Sequence, residues 1–492
     1  MKMEMEQLQR AKKSEVLVIG GGLAGMYAAI EAHRAGRSVR ILSKGKVGGS
    51  GASLVSMSVH RFAPREPGLR EEYRRRFLAS GEGEQDLRVA EMLVERGADA
   101  VEALREFELP LEYRGMDTPS GTYNYLACCK PKRGRLLTGA LRNYLLTHTD
   151  AVLDEGVMAF DLVKAGGNIL GVLAERDGQV IYYPADAVVL AAGGAGNIYR
   201  YTSNTTDLTG DGYAMAARAG LRLVGMEFVQ FYPYRICTPR RADIFPDIFS
   251  HGAVFRNEKG ERFMESYPMK ELENRDVLAR ALYRQERVYL DLTACDWAYL
   301  ERECPNIADM ARRFPDQPLE VRPMAHFFMG GIPLEPDCST EICGLFACGE
   351  VTGGLHGANR LSGSALTETA LFGRIAGREA AATGPAPRDR EAETAELERL
   401  LAAIGGPERV GELPDRQLLR ENMWAAASVE RDMEGLQRLM AFLEKTEEQL
   451  DHAAPRPLRQ WLELRNMTAV SKAVTEAAVR RPESLGAHYI RK

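Results

Sequence analysis

Val16-Leu17-Val18-Ile19-Gly20-Gly21-Gly22-Leu23-Ala24-Gly25 reads as a short buried strand running into a glycine-rich turn that opens a helix. An apolar strand over 15–19, helical spacing over 25–35 ending at Gly36, and a second strand over 38–42 together predict a β-α-β unit. In such a unit Gly20, Gly22 and Gly25 let the backbone turn tightly and approach a pyrophosphate at a helix N-terminus. Far downstream, His356-Gly357-Ala358-Asn359-Arg360-Leu361-Ser362-Gly363-Ser364-Ala365-Leu366 is a second glycine-rich loop that carries an arginine and opens another helix. A chain that returns to a second loop of this kind closes one large cofactor site from both ends, the pattern of a flavoprotein.

A chain of 492 residues is long enough for two or three domains with ample core. Its 45% apolar and 27% charged residues are ordinary for a soluble globular protein, so composition excludes fibrous and disordered classes. The net charge of -5 argues against nucleic acid as a partner. Small anionic substrates remain open, because they feel local charge. Residues 1–14 carry acids and no apolar core, so no secretory signal is expected. No run approaches the roughly 18 apolar residues of a membrane span. The 8 cysteines read as reduced, buried thiols in a cytoplasm. Cys338, Cys343 and Cys348 recur at even spacing and Cys128 adjoins Cys129, but no Cys-x-x-Cys pair occurs. Neither a zinc site nor an iron–sulfur cluster is expected.

Between the two loops, residues 66–115 are charge-rich and helical, with Glu/Arg pairs on a solvated face. The stretch 152–183 alternates and breaks at Gly166-Gly167 and Asp177-Gly178, which predicts a meander of hairpins. A separate buried strand over 187–190 runs into Ala191-Ala192-Gly193-Gly194, a second close approach to cofactor or helix. Thr209-Gly210-Asp211-Gly212 opens a helix through Ala219, and Asp211 reads as its N-cap, a cofactor ligand, or both. From about 230 to 335 the pattern turns irregular and aromatic, as an inserted domain would. A strand over 344–348 precedes Gly349-Glu350, and amphipathic helices are predicted over 391–403, 416–443 and 456–480.

With these pieces placed, the chain resembles the flavoprotein subunits of succinate dehydrogenase and fumarate reductase, with L-aspartate oxidase as a close relative. The likeness rests on the glycine turn, Ser43-Lys44 where an acidic residue usually ends the second strand, Ala191–Gly194 and Thr209–Gly212. It continues through Gly260-Glu261-Arg262-Phe263-Met264, Asn274-Arg275-Asp276-Val277, Leu290-Asp291-Leu292 and His326-Phe327-Phe328-Met329-Gly330-Gly331. Gly349-Glu350, the 356–366 loop and Glu483-Ser484-Leu485-Gly486-Ala487-His488 complete it. The resemblance implies an α/β fold in which a Rossmann-like FAD-binding domain, 1–232 and 331–385, carries an inserted α+β capping domain, 233–330. A C-terminal helical domain, 386–492, follows. FAD would be contacted by Gly20, Gly22, Leu23, Ala24, Gly25, Ser43, Lys44, Gly49, Ser50, Ala192, Gly193, Asp211, Glu350, Ala365 and Leu366.

The family reaction moves a hydride between flavin N5 and one alkene carbon while an arginine exchanges the proton at the other. Arg275 matches that arginine. His326 and Arg360 match residues that hold a substrate carboxylate, a task suited to the bidentate guanidinium fork. From the residues alone, Arg275 also reads as a helix-start residue paired with an acid, His326 as a core histidine and Arg360 as structural. Gln230 and Met329 read as packing.

Departures from the family cluster at the substrate. Gln230-Phe231-Tyr232-Pro233-Tyr234 stands where the family has Gln-Phe-His-Pro-Thr, so a carboxylate-binding histidine is Tyr232. Counted back from Gly260 without gaps, the family's carboxylate-holding Thr and proton-relaying Glu and Arg fall on Phe245, Pro246 and Phe249. Burying a carboxylate against rings that offer no donor costs roughly 2–7 kcal/mol. The expected substrate is therefore an unsaturated monoacid with an apolar or aromatic tail, lined by Tyr232, Tyr234, Phe245 and Phe249, rather than fumarate. His251 reads as a replacement proton relay or as a plain loop histidine.

Within Gly48-Gly49-Ser50-Gly51-Ala52-Ser53, Gly51 takes the place of the histidine that links FAD in members that oxidise succinate, so non-covalent FAD is expected. In the family, losing the link lowers the flavin potential and favours alkene reduction. No haem motif, second flavin domain or ferredoxin-like pattern is present in the sequence. Electrons would come from an iron–sulfur or other partner subunit or a reduced nicotinamide or flavin, or leave to oxygen. The alternatives are a succinate- or fumarate-handling subunit, an L-aspartate-oxidase-like enzyme, and a catalytically degenerate electron-transfer subunit.

Overall fold

In the computed structural model, which describes residues 8–116, 124–129, 134–385, 387–404 and 411–491, Ser14–Ile19 lies in the middle of a parallel layer. It pairs with Val39–Ser43 on one side and with Gln179–Leu190 on the other. A strand covered on both faces needs a continuous apolar run, and Val16, Leu17, Val18 and Ile19 are all buried. The turn that follows has no room for side chains at two points. A Cβ on Gly20, whose φ is +113°, would lie 2.1 Å from the Ala191 carbonyl oxygen. One on Gly25 would lie 2.0 Å from the Gly20 carbonyl oxygen. The helix Leu23–Arg34 then packs along the helix Ser364–Ala382, so the two glycine-rich loops emerge side by side.

Two strands depart from the sequence reading. The meander and the separate buried strand are one element, Gln179–Leu190. Its first half pairs antiparallel with Asn168–Arg176, and its second half runs parallel between Ser14–Ile19 and Leu345–Ala347. Pro184 looks like a stop because it donates no hydrogen bond, but it is accommodated opposite Gly171. The strand Val152–Glu155 leaves the meander and joins the parallel edge beside Val39–Ser43.

Val229–Tyr232 and Met324–Phe328 pair antiparallel and carry the chain out of and back into this layer. Between them lies a five-stranded antiparallel sheet in the order Ala242–Asp243, Arg235–Thr238, Glu320–Val321, Val288–Asp291, Val254–Asn257. It has its own core, including Ile236, Phe255, Leu278, Leu290 and Leu300. The C-terminal helices are Arg390–Ile404, Arg416–Ala427, Met433–His452 and Leu458–Arg480. The single helix expected over 416–443 is two. Asp432 caps the second through the Gly435 amide at 2.7 Å, and buried Arg431 donates to the Glu227 carbonyl at 2.8 Å, which holds the break against another part of the fold. Among the described residues no helix is long and apolar enough to cross a membrane. The side chains of Cys128 and Cys129 lie outside the described residues.

Candidate active site

A cavity of about 430 Å³ is lined by both glycine-rich loops and by the entry to the inserted sheet. Gly20, Gly22, Leu23, Ala24, Ser43, Lys44, Ser50, Ala192, Gly193, Asp211, Glu350, Ala365 and Leu366 all line it. Gly25 stands one step behind the wall, packed on the turn, and Gly49 is behind it against Lys46. Tyr232, Tyr234, Phe245, Arg275, His326 and Arg360 line the same cavity. Phe249 and His251 do not. The short turn Pro246–His251 presents Phe245, Pro246 and Asp247 to the cavity, whereas Phe249 packs on Phe255 at 4.7 Å and His251 stacks on Tyr299 at 3.5 Å.

At the first end the helices Leu23–Arg34 and Ser364–Ala382 both begin at glycine N-caps that supply no side-chain acceptor, and neither has an acid in its first turn. Those first turns border the cavity, so their amides and positive dipole ends suit the phosphates of a dinucleotide. The Lys44 ammonium sits 2.6 Å from Thr209 Oγ1, 2.9 Å from Asp211 Oδ2 and 2.9 Å from Glu463 Oε1. Burial works against the charged Lys44, but Asp211 and Glu463 outweigh it and hold its pKa above the usual lysine value. Asp211 is not an N-cap. Gly210 holds that position, and Asp211 instead accepts from Asn466 Nδ2 at 2.9 Å, tying this end to the Leu458–Arg480 helix.

The second end is organised by Gln230, which the sequence reading left as packing. Its Oε1 accepts from Arg275 at 3.2 Å and from Arg360 at 2.8 Å, and its Nε2 donates to the Arg360 carbonyl at 3.0 Å. A bulge between Gln230 and Phe231 interrupts the strand register here, a device that re-aims a side chain. Arg275 also donates to Ser362 Oγ at 2.8 Å and lies 5.1 Å over the Tyr232 ring. His326 stacks on Tyr232 at 4.6 Å, with Nδ1 2.8 Å from Ser203 Oγ. Met329 is packing, among Phe228 and Phe327.

Burial, then the charge of Arg275, pulls Arg360 down to about 9. Burial pushes Glu350 up to about 7 even though it accepts the Phe328 amide at 3.1 Å. Burial and then Arg360 hold His326 well below its usual value, so the ring is neutral. Arg360 Nε and Asn204 Oδ1 are buried without a partner. Stranded polar atoms on a cavity wall are unfavourable until a ligand meets them. Both tyrosine hydroxyls are already used, Tyr232 donating to the Ile244 carbonyl at 3.1 Å and Tyr234 to the Glu271 carbonyl at 3.2 Å. Ser203, Asn204 and Ser362 were missed in the sequence, where nothing marks them. Gln230 had a signal, since it opens the string that contains Tyr232.

Residues 15–366 match a family model described as an FAD binding domain, and 416–491 one described as the fumarate reductase flavoprotein C-terminus. The fumarate reductase (CoM/CoB) of Methanothermobacter marburgensis contains a chain 32% identical to this one, with 96% of this chain and 93% of that protein aligned. L-aspartate oxidase of Halobacterium salinarum is 31% identical, with 97% and 96% aligned. An E. coli quinol fumarate reductase structure matches with a TM-score of 0.88 at 26% identity, over 99% of this chain and 92% of that one. Two uncapped helix starts beside a buried lysine fit FAD. The chain thus belongs to the succinate dehydrogenase and fumarate reductase flavoprotein family and is an FAD-dependent oxidoreductase.

Proposed function

We propose that this enzyme reduces the C=C bond of an unsaturated carboxylate other than fumarate. FAD, when bound, supplies the hydride chemistry of the family. The observation that carries the reading is the orientation of Tyr232 and Tyr234. Their hydroxyls are spent on backbone carbonyls, so rings rather than donors face the cavity, and Phe245 extends that wall. The second carboxylate of a short diacid would meet no donor there, at a cost of roughly 2–7 kcal/mol. An apolar or aryl tail would meet its like.

The substrate carboxylate is assigned to Arg360 and His326. A Ser203 hydroxyl donating to Nδ1 leaves the proton of the neutral ring on Nε2, as a donor. Arg275 is assigned the proton delivered to one alkene carbon, the other receiving the hydride, which accounts for two electrons and two hydrogens per double bond. Gln230 holds both guanidiniums on one oxygen and so fixes their separation. Phe249 and His251 have no part in this arrangement. The test is anaerobic: flavin reduced with dithionite is offered fumarate, crotonate, cinnamate and urocanate. Aryl or alkyl enoates should reoxidise it fastest. Fumarate outpacing all of them would sink the reading.

FAD is proposed to be non-covalent, because Gly51, with no side chain to form a link, lines the cavity. Acid precipitation should leave the yellow colour in the supernatant; a yellow pellet would contradict this. No reductase domain is evident within the described fold, so electrons are proposed to come from a partner subunit, as in the quinol fumarate reductase it resembles, or from a small reductant. The described cysteines Cys237, Cys295, Cys304, Cys338, Cys343 and Cys348 are all unpaired, which supports a reducing cytoplasm.

Glu350 gives the site a pH dependence. Its pKa near 7 lies in the field of Arg360, so its carboxylate competes with substrate for that guanidinium once ionised. Binding of an enoate to the oxidised enzyme, read as a flavin spectral shift, should weaken by about tenfold from pH 6 to pH 8, about one pKa unit of interaction. Glu350→Gln should flatten that slope. An unchanged slope in the variant would assign the titration to another group.

A further inference from the structure

The far wall of the cavity holds a cation that the pattern of the family did not predict. Arg61 lies on the strand Val59–Phe62 and lines the same cavity as Arg275 and Arg360. Its backbone is fixed to the second glycine-rich loop: its amide donates to the Gly363 carbonyl at 3.0 Å, and its carbonyl accepts from Thr367 Oγ1 at 2.7 Å. The guanidinium Nε is buried and has no hydrogen-bond partner.

We propose that Arg61 binds a second, distal anionic group of the substrate, so that the preferred substrate is an unsaturated acid whose two acidic ends are separated by an aryl or comparable spacer. This rests on the enoate reading above and narrows its substrate class. Arg360 and His326 take the carboxylate beside the alkene, the rings of Tyr232, Tyr234 and Phe245 flank the spacer, and Arg61 meets the far end. Burial, followed by the charge of Arg275, lowers Arg61 to about 10, and Asp247 offsets that only in part. The principal charges acting on Arg61 and on Arg360 share only Arg275, as expected of two cations on either side of it. A buried guanidinium with a free donor is a good receptor for a carboxylate.

The experiment compares cinnamate with 4-carboxycinnamate, which differ only in the distal carboxylate. Reoxidation of the dithionite-reduced flavin gives kcat/KM for each, and the spectral shift of the oxidised enzyme gives Kd. The wild type should prefer 4-carboxycinnamate. Arg61→Gln should lower that preference by about 10- to 100-fold, the range of one charged hydrogen-bonded pair. Arg61→Lys should retain part of it. Equal loss for both acids, an unchanged preference, or loss of bound FAD in both variants would overturn the proposal and leave Arg61 a structural residue. Should no enoate reoxidise the flavin, the reductase reading fails, whereas a charge-dependent Kd that Arg61→Gln abolishes would still uphold the site. Binding of neither acid would overturn both.

Discussion

Arg275→Ala should lower the rate of enoate reduction by about 10²–10⁴-fold, the usual contribution of one positioned acid. Its FAD content and its reduction by dithionite should match the wild type, because Arg275 lies at the substrate end, bonded to Gln230 and Ser362. Carboxylate binding should change far less than turnover. The reason is electrostatic: Arg275 is the largest charge depressing Arg360, so removing it makes Arg360 a better cation while taking away the proton donor. A fall in kcat with Kd nearly unchanged is the signature of a group that acts in the transition state. Arg275→Lys should recover little, since a compact ammonium cannot span both Gln230 and Ser362 as the fork does. Full activity in Arg275→Ala would instead favour an electron-transfer subunit with an idle pocket.

Lys44→Met should cost roughly 3–5 kcal/mol of stability and most of the bound FAD, the penalty of stranding buried charge. Lys44 holds Asp211 and Glu463, both well shielded from solvent, on either side of one ammonium. Removing the cation alone leaves two uncompensated carboxylates, the situation in which breaking a buried pair is most damaging. The loss should appear as a lowered thermal midpoint and a low ratio of flavin to protein absorbance after purification. The triple change Lys44→Met, Asp211→Asn, Glu463→Gln should recover much of the stability, because no buried charge is stranded. A single variant that keeps its flavin and midpoint would show that solvent reaches these carboxylates.

Lys44 and Arg61 also mark the limit of what a linear reading can reach. Lys44 was legible, because Ser43-Lys44 closes a strand whose position the glycine turn had already set. Its partner Glu463 was not, because it comes from the Leu458–Arg480 helix and only long-range packing brings the two together. Tyr232 and Phe245 were recognised as changes of chemistry in a known string. Phe249 and His251 were misplaced because a gap-free count carries no information about which side of a short turn faces the cavity.

The sequence by itself determined the fold and the cofactor. Gly20 and Gly25 sit where the backbone leaves no space for a Cβ, and a constraint that strict leaves a local signature that can be read without coordinates. Tertiary structure alone decided the shape and polarity of the substrate end. Arg61, Gln230, Arg275, His326 and Arg360 come from separate strands, a helix and a loop, and whether a hydroxyl faces the ligand or a carbonyl depends on contacts between elements distant in the chain. For that reason Tyr232 and Tyr234 became apolar walls, Gln230 became the brace between two arginines, and Arg61 entered the cavity.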